Sequence, residues 1–123
     1  MKINNINGAK ELIWRLRTTS EKTVQTSWCQ SKDENNTDGY ATAEKLLGPG
    51  VWRSYLCPNS SVECQHCVLS VITDEYPPCL CGENRLAFMN IRKAQDAMTL
   101  LSGFRDAANL LLRAIAIVII RDR

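Results

Sequence analysis

Residues 57–81 read CPNSSVECQHCVLSVITDEYPPCLC and carry five of the six cysteines and the only histidine of the 123-residue chain. Two close pairs lie inside this stretch, Cys64-x-x-Cys67 and Cys79-x-Cys81, with eleven residues between them. Two short chelating pairs suit tetrahedral zinc, because each pair lowers the ordering needed to assemble four ligands. The C-x-x-C spacing lets a tight turn point both sulfurs inward. The C-x-C pair is less common, and Gly82 directly after it suits a tight backbone. The expected ligands are therefore Cys64, Cys67, Cys79 and Cys81, with Cys57 and His66 as substitutes for one of the four. A closed set of four protein ligands makes a structural rather than a catalytic Zn2+ site.

Two other readings of the same cysteines stand beside zinc. They are free thiols acting as small apolar residues, or partners in disulfides. An even cysteine count and two Asn-x-Ser/Thr sequons, Asn35-Asn36-Thr37 and Asn59-Ser60-Ser61, favour disulfides in a secreted protein. Residues 1–20 contain Lys2, Lys10, Arg15 and Arg17 and no apolar run of leader length. That favours a cytoplasmic protein with metal-bound or free thiols.

Outward from the cysteines, the composition points to strands before helices. Gly48-Pro49-Gly50 is a turn signal, and the aromatic and β-branched run Val51–Cys57 after it reads as a strand. Cys67–Thr73 reads as a second one. Tyr76-Pro77-Pro78 is a stiff extended turn that delivers the last cysteine pair. A helix is expected from Glu83 or Asn84, with Ala87, Ile91, Ala94, Met98 and Leu101 as its core-facing seam. Ser102-Gly103 is expected to break or kink it. Phe104, Ala108, Leu111, Ile115 and Val118 then repeat the same steps. Residues 104–120 are apolar on several faces, which predicts a homo-oligomer interface. Ala114–Ile120 is also β-branched enough for a buried strand, but the unbroken period favours helix.

On the other side of the cysteines, residues 1–7 read as a polar arm. Asn7 is placed to cap a helix over 8–17, with Ala9, Leu12, Ile13 and Leu16 as its buried stripe. Residues 18–39 read as a long polar loop, with at most a short strand over Thr23–Cys29. Asp38 is placed to cap a short helix over 40–47. The fold class expected is α+β and predominantly helical. A small cysteine-clustered strand region over 51–82 is followed by a long helical hairpin or kinked helix over 83–123, all in a single domain, 1–123.

Composition narrows function mainly by exclusion. An apolar fraction of 45% and a charged fraction of 23% are those of an ordinary globular domain. A net charge of +2, with both signs interleaved, makes nucleic acid an unfavoured partner. The longest apolar run, Ala114–Ile120, is far shorter than the roughly 20 residues of a membrane span. His66 is the only imidazole base and sits among the cysteines, and Asp74 and Glu75 are adjacent rather than converging. Cys64-Gln65-His66-Cys67 has a redox dithiol's spacing but not its strand-to-helix setting. Gly48-Pro49-Gly50 lacks the Lys-Ser or Lys-Thr of a phosphate loop. The sequence thus points to a non-enzymatic binding or regulatory module with a structural zinc and an unidentified protein or small-molecule partner.

Overall fold

The computed structural model describes residues 3–33, 39–57 and 63–121. Six α-helices are found there: α1 (Ile6–Thr18), α2 (Glu21–Asp33), α3 (Gly39–Leu47), α4 (Arg53–Leu56), α5 (Gly82–Lys93) and α6 (Ala97–Arg121). Three 3₁₀ turns, Cys64–His66, Val68–Val71 and Pro78–Leu80, carry the chain between α4 and α5. No strand occurs among the described residues. The α+β expectation is therefore wrong, and the fold is helical.

Each mistaken strand has a local cause. After Gly48 (φ 101°) and Gly50 (φ 80°), Val51 itself takes a left-handed conformation at φ 54°. Trp52 follows with helical angles, so the chain turns directly into α4 instead of extending. Trp52 and Leu56, one helical turn apart, are then both buried. In Val68–Val71 the successive residues Val68 and Leu69 are both buried, which a half-exposed strand would not allow. The Ser70 hydroxyl donates to the Cys67 carbonyl at 2.7 Å and tightens that turn.

The expected loop over 18–39 contains α2, and Thr23–Cys29 lies within this helix. Ser20 opens it, its hydroxyl accepting from the Thr23 amide at 3.1 Å. The buried side of α2 is thin: Val24 is fully buried, Trp28 is half-buried, and Ser31 completes the stripe by hydrogen bonding to Thr42 of α3 at 3.1 Å. Asp38 and both sequons lie outside the described residues.

Helix α1 buries Ala9, Leu12, Ile13 and Leu16, the stripe its sequence predicts. It starts one residue before Asn7, which is therefore not its cap. The polar arm is also not free at its inner end, since Asn5 is 4% exposed.

The break between the two C-terminal helices falls at Ala94–Asp96 and not at Ser102-Gly103. Ala94 leaves α5 with ψ 135°, and the Asp96 carboxylate accepts from the Thr99 amide at 2.7 Å to start α6. Gly103 lies inside α6, where an added Cβ would stand 3.0 Å from Ile91 Cγ1 of α5. Its role is close helix approach. Residues 114–120 are helical as the period favoured.

The core is organised around α6, which packs on α1, α2, α3 and α5. Phe104, Ala108, Leu111, Ile115 and Val118 are all buried, as expected, and Leu100, Ala107 and Ala114 join them. Met98, from the expected seam, is instead 54% exposed. Phe88 of α5 meets Trp52 with ring centroids 5.1 Å apart and planes at 60°. Arg105 reaches across from α6 to donate to the carbonyls of Leu16 and Thr19, two acceptors left open where α1 ends. Arg105→Met keeps the stem and removes these donors. It is expected to cost about 2 kcal/mol in urea unfolding, with an unchanged denaturant slope. No described helix is long and apolar enough to cross a membrane.

Candidate functional site

Among the described residues between α4 and α5 there is no regular element longer than about one turn, and this stretch brings four thiols together. Cys57 follows the last residue of α4, and Cys64 begins the first 3₁₀ turn. Cys67 links the first turn to the second, and Cys79 lies in the third. With Trp52, Leu56 and Pro78, these four cysteines line one nearly apolar cavity of about 20 Å³. All six cysteines of the chain are free thiols.

A buried asparagine fixes two walls of this pocket. The Asn5 side chain donates from Nδ2 to the Leu56 carbonyl and to Cys67 Sγ, both at 3.2 Å. Its Oδ1 accepts from the Val68 amide at 2.8 Å. One residue earlier, the Asn4 amide donates to the His66 carbonyl at 3.1 Å. The start of the chain thus ties the end of α4 to the Cys64–Cys67 segment. Trp52 forms another wall and is 2% exposed. Its indole N–H is buried without a hydrogen-bond partner, yet it stands close enough to Cys79 to favour that thiol's ionisation. We therefore read it as a donor facing the sulfur without closing a hydrogen bond of normal geometry.

The thiols share one electrostatic environment. Burial raises the Cys57 thiol pKa, the neighbouring Cys64 raises it further, and the Arg53 guanidinium opposes both. Burial pushes Cys67 up to about 11, against hydrogen bonds from the Leu69 backbone and the Asn5 side chain. Cys79 is raised by burial first and by Cys57 next, with Arg53 and Trp52 pulling the other way. Without a cation Cys57, Cys67 and Cys79 are therefore neutral thiols at pH 7. Polar donors already face them, so a cation in the cavity would gain thiolates with a formed outer shell.

The expected ligand set is only partly brought together. Cys64, Cys67 and Cys79 line the cavity, and Cys57, the expected substitute, is the fourth. Cys81 sits at the N-terminus of α5 and does not line it. His66 also lies off the cavity, with Nε2 4.0 Å from the Glu63 carboxylate and 3.4 Å from Gln65 Nε2. Cys29 on α2 is exposed. As they stand, no three or more His, Cys, Asp or Glu side chains among the described residues are arranged to hold a metal ion.

Sequence spacing singled out Cys81 because it pairs closely with Cys79. Cys57 lies seven positions before Cys64, too far for local chelation, and only the packing of α4 brings it to the others. The signal for it was Trp52 and Leu56 at helical spacing, which marks Cys57 as the exit of a buried turn. No family model, curated protein or solved structure matches the chain.

Proposed function

We propose that the chain is a non-enzymatic binding or regulatory module, its helices clasped by a structural Zn2+ on the thiolates of Cys57, Cys64, Cys67 and Cys79. The observation that carries this reading is the convergence of four cysteines, from the end of α4, the Cys64–Cys67 turn and the Pro78–Leu80 turn, on one small cavity. Zinc–sulfur bonds of about 2.3 Å require the four sulfurs to draw inward from their present positions. Four thiolates around Zn2+ leave a net negative cluster. Asn5, Trp52 and Arg53 supply an amide, an indole N–H and a positive charge to offset it. A cavity this small, walled by Trp52, Leu56 and Pro78, leaves no room for a substrate beside the metal. The clasp joins the end of α4 to the approach of α5, so metal and helical packing support one another. In the same reading, a second copy of the chain would meet Leu112, Ile119 and Ile120, the exposed apolar residues of α6 within 104–120.

The test is metal content of protein purified under reducing conditions without added metal, with thiols counted before and after chelation. The expected result is about one zinc per chain, with the four pocket thiols reacting only once the metal is withdrawn. A metal-free chain that takes up no added zinc at micromolar concentration overturns the clasp.

A further inference from the structure

A second feature lies on the far side of Trp52. That residue also walls a surface hollow of about 170 Å³ formed with Tyr40, Val51, Arg53 and Arg92. A neighbouring hollow of about 550 Å³ shares Tyr40 and Arg92 and is completed by Leu80, Met89 and Lys93. Three cations, Arg53, Arg92 and Lys93, thus border adjoining hollows with no carboxylate among the described lining residues. None of the three makes an ion pair with a described residue. Arg92 instead lies over the Tyr40 ring, 5.7 Å from its centroid.

The parts differ in chemistry. The smaller hollow places two guanidiniums near each other, and forked N–H donors of this kind match phosphate oxygens. Val51, held at φ 54° beneath it, fixes the turn from which Arg53 projects. The larger hollow is lined by Leu80, Met89 and Tyr40, apolar and aromatic side chains that suit a flat ring. Its volume lies within the range of about 300–1,000 Å³ usual for small-molecule sites. We propose that this groove binds a nucleoside phosphate, with the phosphate between Arg53 and Arg92 and the base against Tyr40, Leu80 and Met89. No groove side chain is one of the proposed zinc ligands, although Trp52 and Arg53 also act on the pocket thiols.

The experiment is calorimetric titration of the full chain with AMP at low ionic strength, alongside adenosine and inorganic phosphate. One saturable AMP site is expected, with each fragment bound at least about tenfold more weakly. Arg92→Gln and, separately, the exposed Lys93→Gln should weaken AMP, the first on the order of tenfold or more. Tyr40→Leu should reduce the preference for AMP over phosphate. Arg113→Gln, which removes the partner of Glu83 between α5 and α6, should leave binding unchanged. Absence of saturable AMP binding at millimolar concentration overturns the proposal, as does undiminished binding in both Arg92→Gln and Lys93→Gln. Phosphate bound as tightly as AMP would refute the base contact and reduce the groove to a plain anion site.

Discussion

Cys57→Ser should abolish the proposed zinc binding, while Cys81→Ser should leave it intact. The contrast separates the spacing of the sequence from the arrangement of the fold. Spacing alone pairs Cys79 with Cys81, whereas the cavity is lined by Cys57, Cys64, Cys67 and Cys79. A serine hydroxyl is a poor zinc ligand, so losing one thiolate of four is expected to cost orders of magnitude in affinity. Zinc per chain should fall from about one to near zero in Cys57→Ser. Metal-binding free energy is folding free energy in small domains, so the melting temperature of that variant should fall by about 10 °C or more. Cys81→Ser, at a half-buried position off the cavity, should change stability by about 0.5 kcal/mol or less. Melting both variants after exhaustive chelation isolates the metal's share, because in metal-free protein the Cys57 variant should lose most of its deficit. Retained zinc in Cys57→Ser together with loss in Cys81→Ser would restore the sequence pairing and sink the arrangement argued above.

Phe104→Ala should be among the most damaging single changes in the core. The side chain is fully buried in α6 beside Leu100, Ala107, Ala108 and Leu111. Removing a buried ring loses its transfer free energy and leaves a cavity that close-packed neighbours cannot fill, about 3–5 kcal/mol in all. Against a typical domain stability of about 5–15 kcal/mol, that is a large share of the whole. Guanidinium unfolding should show the midpoint fall with little change in slope. Leu86→Ala is the matched control, because Leu86 is 70% exposed on α5, and its cost should stay near 0.5 kcal/mol. A loss below about 1 kcal/mol for Phe104→Ala would mean that α6 is not the central helix of the fold.

What could be read from the sequence depended on how many apolar residues each element commits to the core. Helix α1 and the second half of α6 were legible because four or five apolar side chains recur at helical spacing in each. Helix α2 was not, since its buried stripe is Val24, Trp28 and Ser31, and only the first is both apolar and fully buried. The run Val51–Cys57 misled for the opposite reason: it is rich in strand-forming residues, but so is any short buried turn, and runs this short carry no decisive period. Gly103 read as a break because glycine disfavours helix. Its real cause is the nearness of Ile91, which no local pattern reveals. The cysteines were legible as a cluster and illegible as a set. Pair spacing identified three members of the pocket, and the fourth depends on contacts between segments far apart in the chain.

The hydrogen bonds of Asn5 also bear on the order of assembly. Asn5 is synthesised well before its partners Leu56, Cys67 and Val68, the last 63 positions later. Cys79 must follow before the ring of thiols is whole. A contact of such long range closes only after a large loss of chain entropy, so it belongs to the later stages of folding. During synthesis, then, the nascent chain exposes Cys57, Cys64 and Cys67 as an open and reactive set. The interval before residue 79 emerges is when oxidants have their best access to these thiols.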